Sequence, residues 1–113
     1  MIIDFHTHTF PEKISSRVVK KLGTAAHIKA YTDGSMDGLA ASMERAGVDY
    51  SVNLPGMTSA QQVEKINTSM IVVRAALLAR GIIAFGGMHP DYTDYKREFG
   101  RFIEFHISGI KLH

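Results

Sequence analysis

Near the N-terminus, Asp4-Phe5-His6-Thr7-His8 combines residue types and a spacing that can do chemistry. In a strand, side chains two residues apart leave the same face. His6 and His8 therefore present two imidazoles side by side, with Asp4 behind them. Two such rings can chelate one divalent ion, and a carboxylate can orient one ring through its other nitrogen. The plain alternative is a pair of solvated histidines in a turn. The apolar run at residues 2–5 that leads into the motif favours the metal site, because α/β folds gather reactive groups at the carboxyl ends of their strands.

Two imidazoles leave a four-ligand zinc site half filled. The other histidines are His27, His89, His106 and His113. His27 sits in an unpatterned stretch and reads as solvated. His106 ends a predicted helix, where a cation suits the dipole. His89 follows the third predicted strand on the same end as His6 and His8, so it either lines the same mouth or is solvated. Lys111 and His113 share one face of the last predicted strand, pointing into that mouth or forming a solvated end. Asn53 is the last polar residue on the inward face of the second predicted strand. It either binds a polar group of a substrate or ties down the loop that follows. Gly86-Gly87 lacks the partners of a phosphate-cradling loop, and no G-x-S-x-G nucleophile elbow is present.

The elements that must position these residues follow a regular pattern. Residues 2–5 read as a strand, residues 12–22 as a helix stopped near Gly23, and residues 24–34 as a loop. Ser35 is a good N-cap for a helix whose apolar positions are Met36, Leu39, Ala40, Met43 and Ala46, with Gly47 at its C-terminal stop. Residues 48–54 alternate as a strand. Thr58 with Gln61 makes a capping box for a helix that runs to about Arg80. Residues 82–85 form a buried-type strand and residues 86–91 a loop. Asp94 caps a helix with Tyr95, Phe99, Phe102 and Ile103 on its apolar face, ended by Ser108-Gly109. Residues 110–113 read as a last strand. Strands that alternate with helices imply an α/β fold with a parallel sheet and right-handed crossovers, in a single domain over residues 1–113.

Composition narrows the function classes. The chain has 113 residues, 45% of them hydrophobic, and no cysteine. A disulfide framework and a thiolate zinc cluster are thereby excluded. Thirteen Lys and Arg against eleven Asp and Glu leave a net charge of +2, which implies no nucleic-acid stripe and no membrane-binding face. The longest apolar stretch, residues 70–79, contains Arg74 and falls short of the ~20 residues of a spanning helix. No targeting segment is recognisable. The expectation is a soluble, cytoplasmic protein.

Four segments taken in order, MIIDFHTHTFP (1–11), AGVDYSVNLP (46–55), GIIAFGGMHP (81–90) and GIKLH (109–113), resemble the amidohydrolase superfamily of metal-dependent hydrolases, in its amidohydrolase-related TIM-barrel branch. The resemblance implies the first four strands of a (β/α)8 barrel, with one or two divalent ions, usually zinc, at its mouth. It also implies a small-molecule substrate and a metal-activated water that attacks a C–N, C–O or related bond, with decarboxylation or hydration in some relatives. His6 and His8 match the family's first-strand ligands. Lys111 lies on the strand where some relatives carry a bridging carboxylated lysine or a glutamate.

A full barrel needs ~250 residues, so the resemblance spans about half of one. The family's histidines of strands five and six, and the strand-eight aspartate that serves as general base, have no counterpart here. The family's activity therefore does not transfer to this chain alone. A parallel half-barrel leaves two open edges, which implies either a homodimer joined through them or a piece of a longer protein. Two rival readings remain. A PHP-type phosphoesterase also opens with D-x-H-x-H-T, but its expected T-D-H is replaced here by Tyr31-Thr32-Asp33-Gly34. The other rival is an inactive truncated module that binds only a partner.

Overall fold

The computed structural model describes residues 1–112. Its elements run β1 (Ile3–Thr7), α1 (Glu12–Ala26), α2 (Met36–Ala46), β2 (Tyr50–Asn53), α3 (Val63–Leu78), β3 (Ile82–Ala84), β4 (Gly86–Met88), α4 (Tyr95–Glu104) and β5 (Ile110–Leu112), with a 3-10 turn at Ala60–Gln62. Every strand pairing is parallel, in the orders β1-β2-β3 and β4-β5. The chain is thus an α/β fold with parallel sheets, and helices α1 to α4 supply the connections. No helix among the described residues is long and apolar enough to cross a membrane.

β3 and β4 are separated by Phe85 alone. The Phe85 N–H still turns back to the Asn53 carbonyl at 3.1 Å, whereas the Gly86 N–H goes to the Gly109 carbonyl at 2.9 Å. At this point the extended chain exchanges β2 for β5 as its neighbour. The loop expected at residues 86–91 is therefore partly a strand. Side-chain patterning could not announce it, since two of its three residues are glycine. The Phe102 ring lies where a Gly86 Cβ would project, so the close approach of α4 requires glycine there.

Other boundaries shift for identifiable reasons. α1 runs past Gly23 to Ala26, because Thr24, Ala25 and Ala26 sustain the helix and one glycine costs only about 1 kcal/mol. The helix stops instead at His27, which adopts a left-handed conformation with φ 55°. Gln62 rather than Gln61 answers Thr58: its Oε1 accepts the Thr58 N–H at 2.7 Å, a reach set by the intervening 3-10 turn. α4 ends at Glu104, ahead of Ser108-Gly109, and only part of its expected apolar face is covered. Phe102 is buried, whereas Ile103 is 79% exposed.

Ser35 caps α2 as its sequence position suggests, with its hydroxyl accepting the Gly38 N–H at 2.9 Å. Asp33 stands behind it, accepting the Ser35 hydroxyl at 2.6 Å and the Ser35 N–H at 2.9 Å. These two bonds, the hydroxyl's first, hold the Asp33 carboxyl below its ordinary 3.8.

The apolar core forms two clusters. One joins Met57, Val63, Met88, Phe102 and Ile107, and the other joins Met43, Leu77, Ile82 and Ala84. A polar unit of α3 and α4 adjoins them. Asn67 accepts the Gly87 N–H at 2.8 Å and donates to the Gly87 carbonyl at 3.0 Å. It also donates to Glu98 Oε2 at 2.8 Å. Arg101 pairs with Glu98 Oε1 at 2.7 Å, and Asn67 and Glu98 are both fully buried. β1 and β5 are the outer strands, and Ile3, Phe5, Ile110 and Leu112 on them are exposed.

Two predictions follow the energetics. Asn67→Leu removes both partners of Gly87 and one of Glu98, so chemical denaturation should show a loss of about 3–5 kcal/mol. A loss below about 1 kcal/mol would mean that the amide is not holding β4. For Asp33, a folded-state pKa below the unfolded one stabilises the fold above pH 3.8 and loses that contribution as pH falls through the depressed value. Melting curves should accordingly show wild type ahead of Asp33→Asn at pH 6 and level with it near pH 2.

Candidate metal centre

His6 lies in β1, and His8 follows directly after that strand. The pairing of β1 with β2 advances from Ser51 to Asn53 while β1 advances from Asp4 to Thr7, so β1 carries one extra residue. Such a bulge interrupts the alternation of faces. The expected place of Asp4 behind the imidazoles rested on that alternation. Asp4 Oδ1 instead accepts the backbone N–H of His6 at 3.0 Å, fixing the bulge rather than a ring.

The two imidazoles do meet. Their Nε2 atoms stand 3.1 Å apart, with the ring planes at 76°. His8 Nδ1 lies 2.7 Å from the Leu54 carbonyl, which can only accept, so Nδ1 carries the proton and Nε2 bears a lone pair. In the metal-free pair, His6 Nε2–H then donates to His8 Nε2. Desolvation of the His8 ring holds its pKa below the usual 6.5; the charges of His6 and Lys111 act in the same direction, and the Leu54 carbonyl opposes them. His8 is thus kept neutral near pH 7, the form in which imidazole ligates metals.

Three hydrogen bonds, one between main-chain groups and two that each involve a side chain, hold the segment around His8. The Leu54 N–H donates to the Thr7 carbonyl at 2.8 Å. The Thr7 hydroxyl donates to the Val52 carbonyl at 2.9 Å. The Thr9 N–H donates to Asn53 Oδ1 at 2.7 Å.

The remaining expected site residues are placed as follows. Asn53 is fully buried, and its amide nitrogen faces the Met70 sulfur of α3 at 3.6 Å. Its neighbour across the ladder is Ala84, part of the cluster under α2 and α3. The residue therefore lies on the helix side of the sheet, not on the expected inward face, and its side-chain oxygen ties down the segment after β1. His89 is largely buried in the loop after β4, where its Nδ1 accepts the Asp91 N–H at 3.2 Å. Lys111 stands opposite Gly87 in β5, close enough for its charge to act on His8. His113 lies outside the described residues.

Nitrogens bonded to one zinc at ~2.05 Å and a tetrahedral angle stand about 3.3 Å apart. The 3.1 Å separation of the two Nε2 atoms fits that requirement closely. Among the described residues, however, no group of three or more His, Asp or Glu is gathered for a metal ion. The residues fit two positions of a coordination sphere, not a closed cage. The Leu54 carbonyl and the Thr9 N–H escaped sequence reasoning because main-chain groups are common to every residue and leave no trace in side-chain type.

No family model matches the chain, nor does any curated protein or any solved structure.

The geometry sets an expectation for the metal-free protein. Long-range 1H–15N spectra at pH 7.5 should show His8 with its proton on Nδ1; a predominant Nε2–H form would contradict the bond to Leu54.

Proposed function

We propose that the chain carries the first-strand ligands of a metal-dependent hydrolase of the amidohydrolase type, built on the first four strands of a (β/α)8 barrel and acting on a small-molecule substrate. The reading is carried by one observation, the convergence of the His6 and His8 Nε2 atoms at 3.1 Å with the far nitrogen of His8 bonded to a carbonyl. That arrangement has the form of a metal-ligating histidine and its orienting partner. The barrel is supported by the succession of parallel strands, in which β3 and β4 act as one strand passed from β2 to β5.

A divalent ion, zinc in the simplest case, would bring the pKa of a bound water toward 7 and so supply a nucleophile for a C–N or C–O bond. In this reading His6 and His8 hold the ion, and Leu54 fixes the His8 ring. Lys111 places a positive charge beside the site, which favours an anionic substrate group or bound hydroxide. The other ligand positions fall to water, to substrate and to strands that close the barrel at β1 and β5. Those strands come from further polypeptide or from a second copy of the chain.

Native mass spectrometry of the chain with equimolar zinc tests the ligand assignment and reads the assembly at the same time. Wild type should retain zinc, and His6→Ala and His8→Ala should each lose it while melting within a few degrees of wild type. Retention of zinc by both variants, or none by wild type at micromolar concentration, would overturn the reading.

A further inference from the structure

We infer that Asn53 is a positioning residue for the imidazole pair: its buried side-chain carbonyl clamps the backbone just after His8 and so holds the His8 ring on the Leu54 carbonyl. This inference rests on the metal-ligand reading of His6 and His8.

The argument begins with burial. Asn53 is fully enclosed, so its amide must find partners within the protein. Among the described residues its nitrogen has only the Met70 sulfur at 3.6 Å, a weak acceptor. Its oxygen takes the Thr9 N–H at 2.7 Å, the shorter bond and the better-matched pair of atoms. A leucine of similar volume would pack against α3 without burying an amide. The amide is thus accounted for by Thr9, not by packing.

Thr9 adjoins His8, and Leu54 adjoins Asn53. Leu54 accepts from the His8 ring through its carbonyl and donates to the Thr7 carbonyl through its N–H. The bonds from Thr7 to Leu54, from His8 to Leu54 and from Thr9 to Asn53 therefore bind three consecutive residues to two consecutive residues. The Asn53 bond is the only one of the three made by a side chain at the β2 end, so it alone can be removed by a substitution that leaves both imidazoles in place. β1 has ended at Thr7, and the ladder no longer fixes the chain there. Without the clamp, residues 8 and 9 are free to swing from β2, and the His8 ring loses its carbonyl. Removing such orienting contacts typically costs ten- to a hundredfold in metal affinity.

Three substitutions separate positioning from packing. Asn53→Leu keeps the volume and loses the acceptor. Asn53→Asp keeps the acceptor. Met70→Leu removes the sulfur and leaves Thr9 clamped. Zinc titration by calorimetry should show at least a tenfold weaker site in Asn53→Leu, with Asn53→Asp and Met70→Leu within about threefold of wild type. In the metal-free proteins, 1H–15N spectra should show His8 as a tautomer mixture only in Asn53→Leu. If Asn53→Leu does not fold, Asn53→Ser, whose hydroxyl falls short of Thr9, should show the same loss. Wild-type affinity and tautomer in the variants lacking the acceptor would overturn the inference, as would an Asn53→Asp that falls with them. If wild type itself takes up no zinc, the ligand reading fails, and the tautomer comparison still decides the role of Asn53.

Discussion

The structure depends on what happens to a strand that changes neighbours. When the extended chain passes Phe85 and turns from β2 to β5, one edge of β4 loses the partner that β2 had given to β3. A buried N–H and a buried carbonyl on Gly87 would then be orphaned, at a cost of about 1–3 kcal/mol each. Asn67 fills the place of the absent strand, because one carboxamide offers the same acceptor and donor as a peptide unit. Burying that amide in turn requires Glu98 for its second N–H, and burying Glu98 requires Arg101. Arg101 reaches Thr68 of α3 at 2.7 Å, which returns the chain of bonds to the helix that carries Asn67. α3, β4 and α4 are thus joined by hydrogen bonds at the point where the extended chain changes neighbours.

The same change of neighbours shapes the imidazole pair. Because β4 and β5 lie beyond the split, Lys111 stands on a strand that does not pair with β1, yet its charge acts on His8. The bulge in β1 makes the complementary adjustment from the other edge. With one extra residue before Thr7, the chain leaves β1 with Thr7 buried against β2 and the two rings facing each other. A bulge at a strand end commonly re-aims side chains in this way.

Much of the fold was legible in particular residues. Ser35 and Gly47 mark the ends of α2 because a hydroxyl cap and a left-handed glycine are chemical necessities at helix ends. The β2 strand and the parallel α/β order were readable for similar reasons. What escaped has a physical explanation in each case. Gly86 and Gly87 carry no side chains, so no period could mark β4. Both faces of β2 are buried, with Val52 on one and Ser51 and Asn53 on the other, so polarity does not tell the helix side from the opposite face, and alternation alone misplaces Asn53. The histidine pair was legible as a pair because its spacing survives the end of the strand. Its surroundings were not, because the partner of the His8 ring is the Leu54 carbonyl and the neighbouring Thr9 N–H bonds to Asn53, both main-chain groups. The bulge that displaces Asp4 arises from pairing between segments about 47 residues apart, and no local pattern contains it.

An ion on two imidazoles depends more on preorganisation than an ion in a full cage. With four protein ligands, one misplaced ring leaves three to hold the metal; with two, the same error halves the protein's share. The positive charge of Lys111, the smallest of the influences that lower the His8 pKa, would act against a cation there in the same sense as against a proton. Two features offset that repulsion. His8 is held neutral with its proton on Nδ1, so only the His6 Nε2 proton, which bonds to the His8 lone pair, would have to shift to the other ring nitrogen before both rings could ligate an ion. An anionic ligand, whether hydroxide or a substrate carboxylate, would be drawn by the ion and the ammonium together. On the proposed reading of His6 and His8 as ligands, an ion bound together with an anion would be favoured over an ion bound alone, and such an anion would take a coordination position that the described residues leave open.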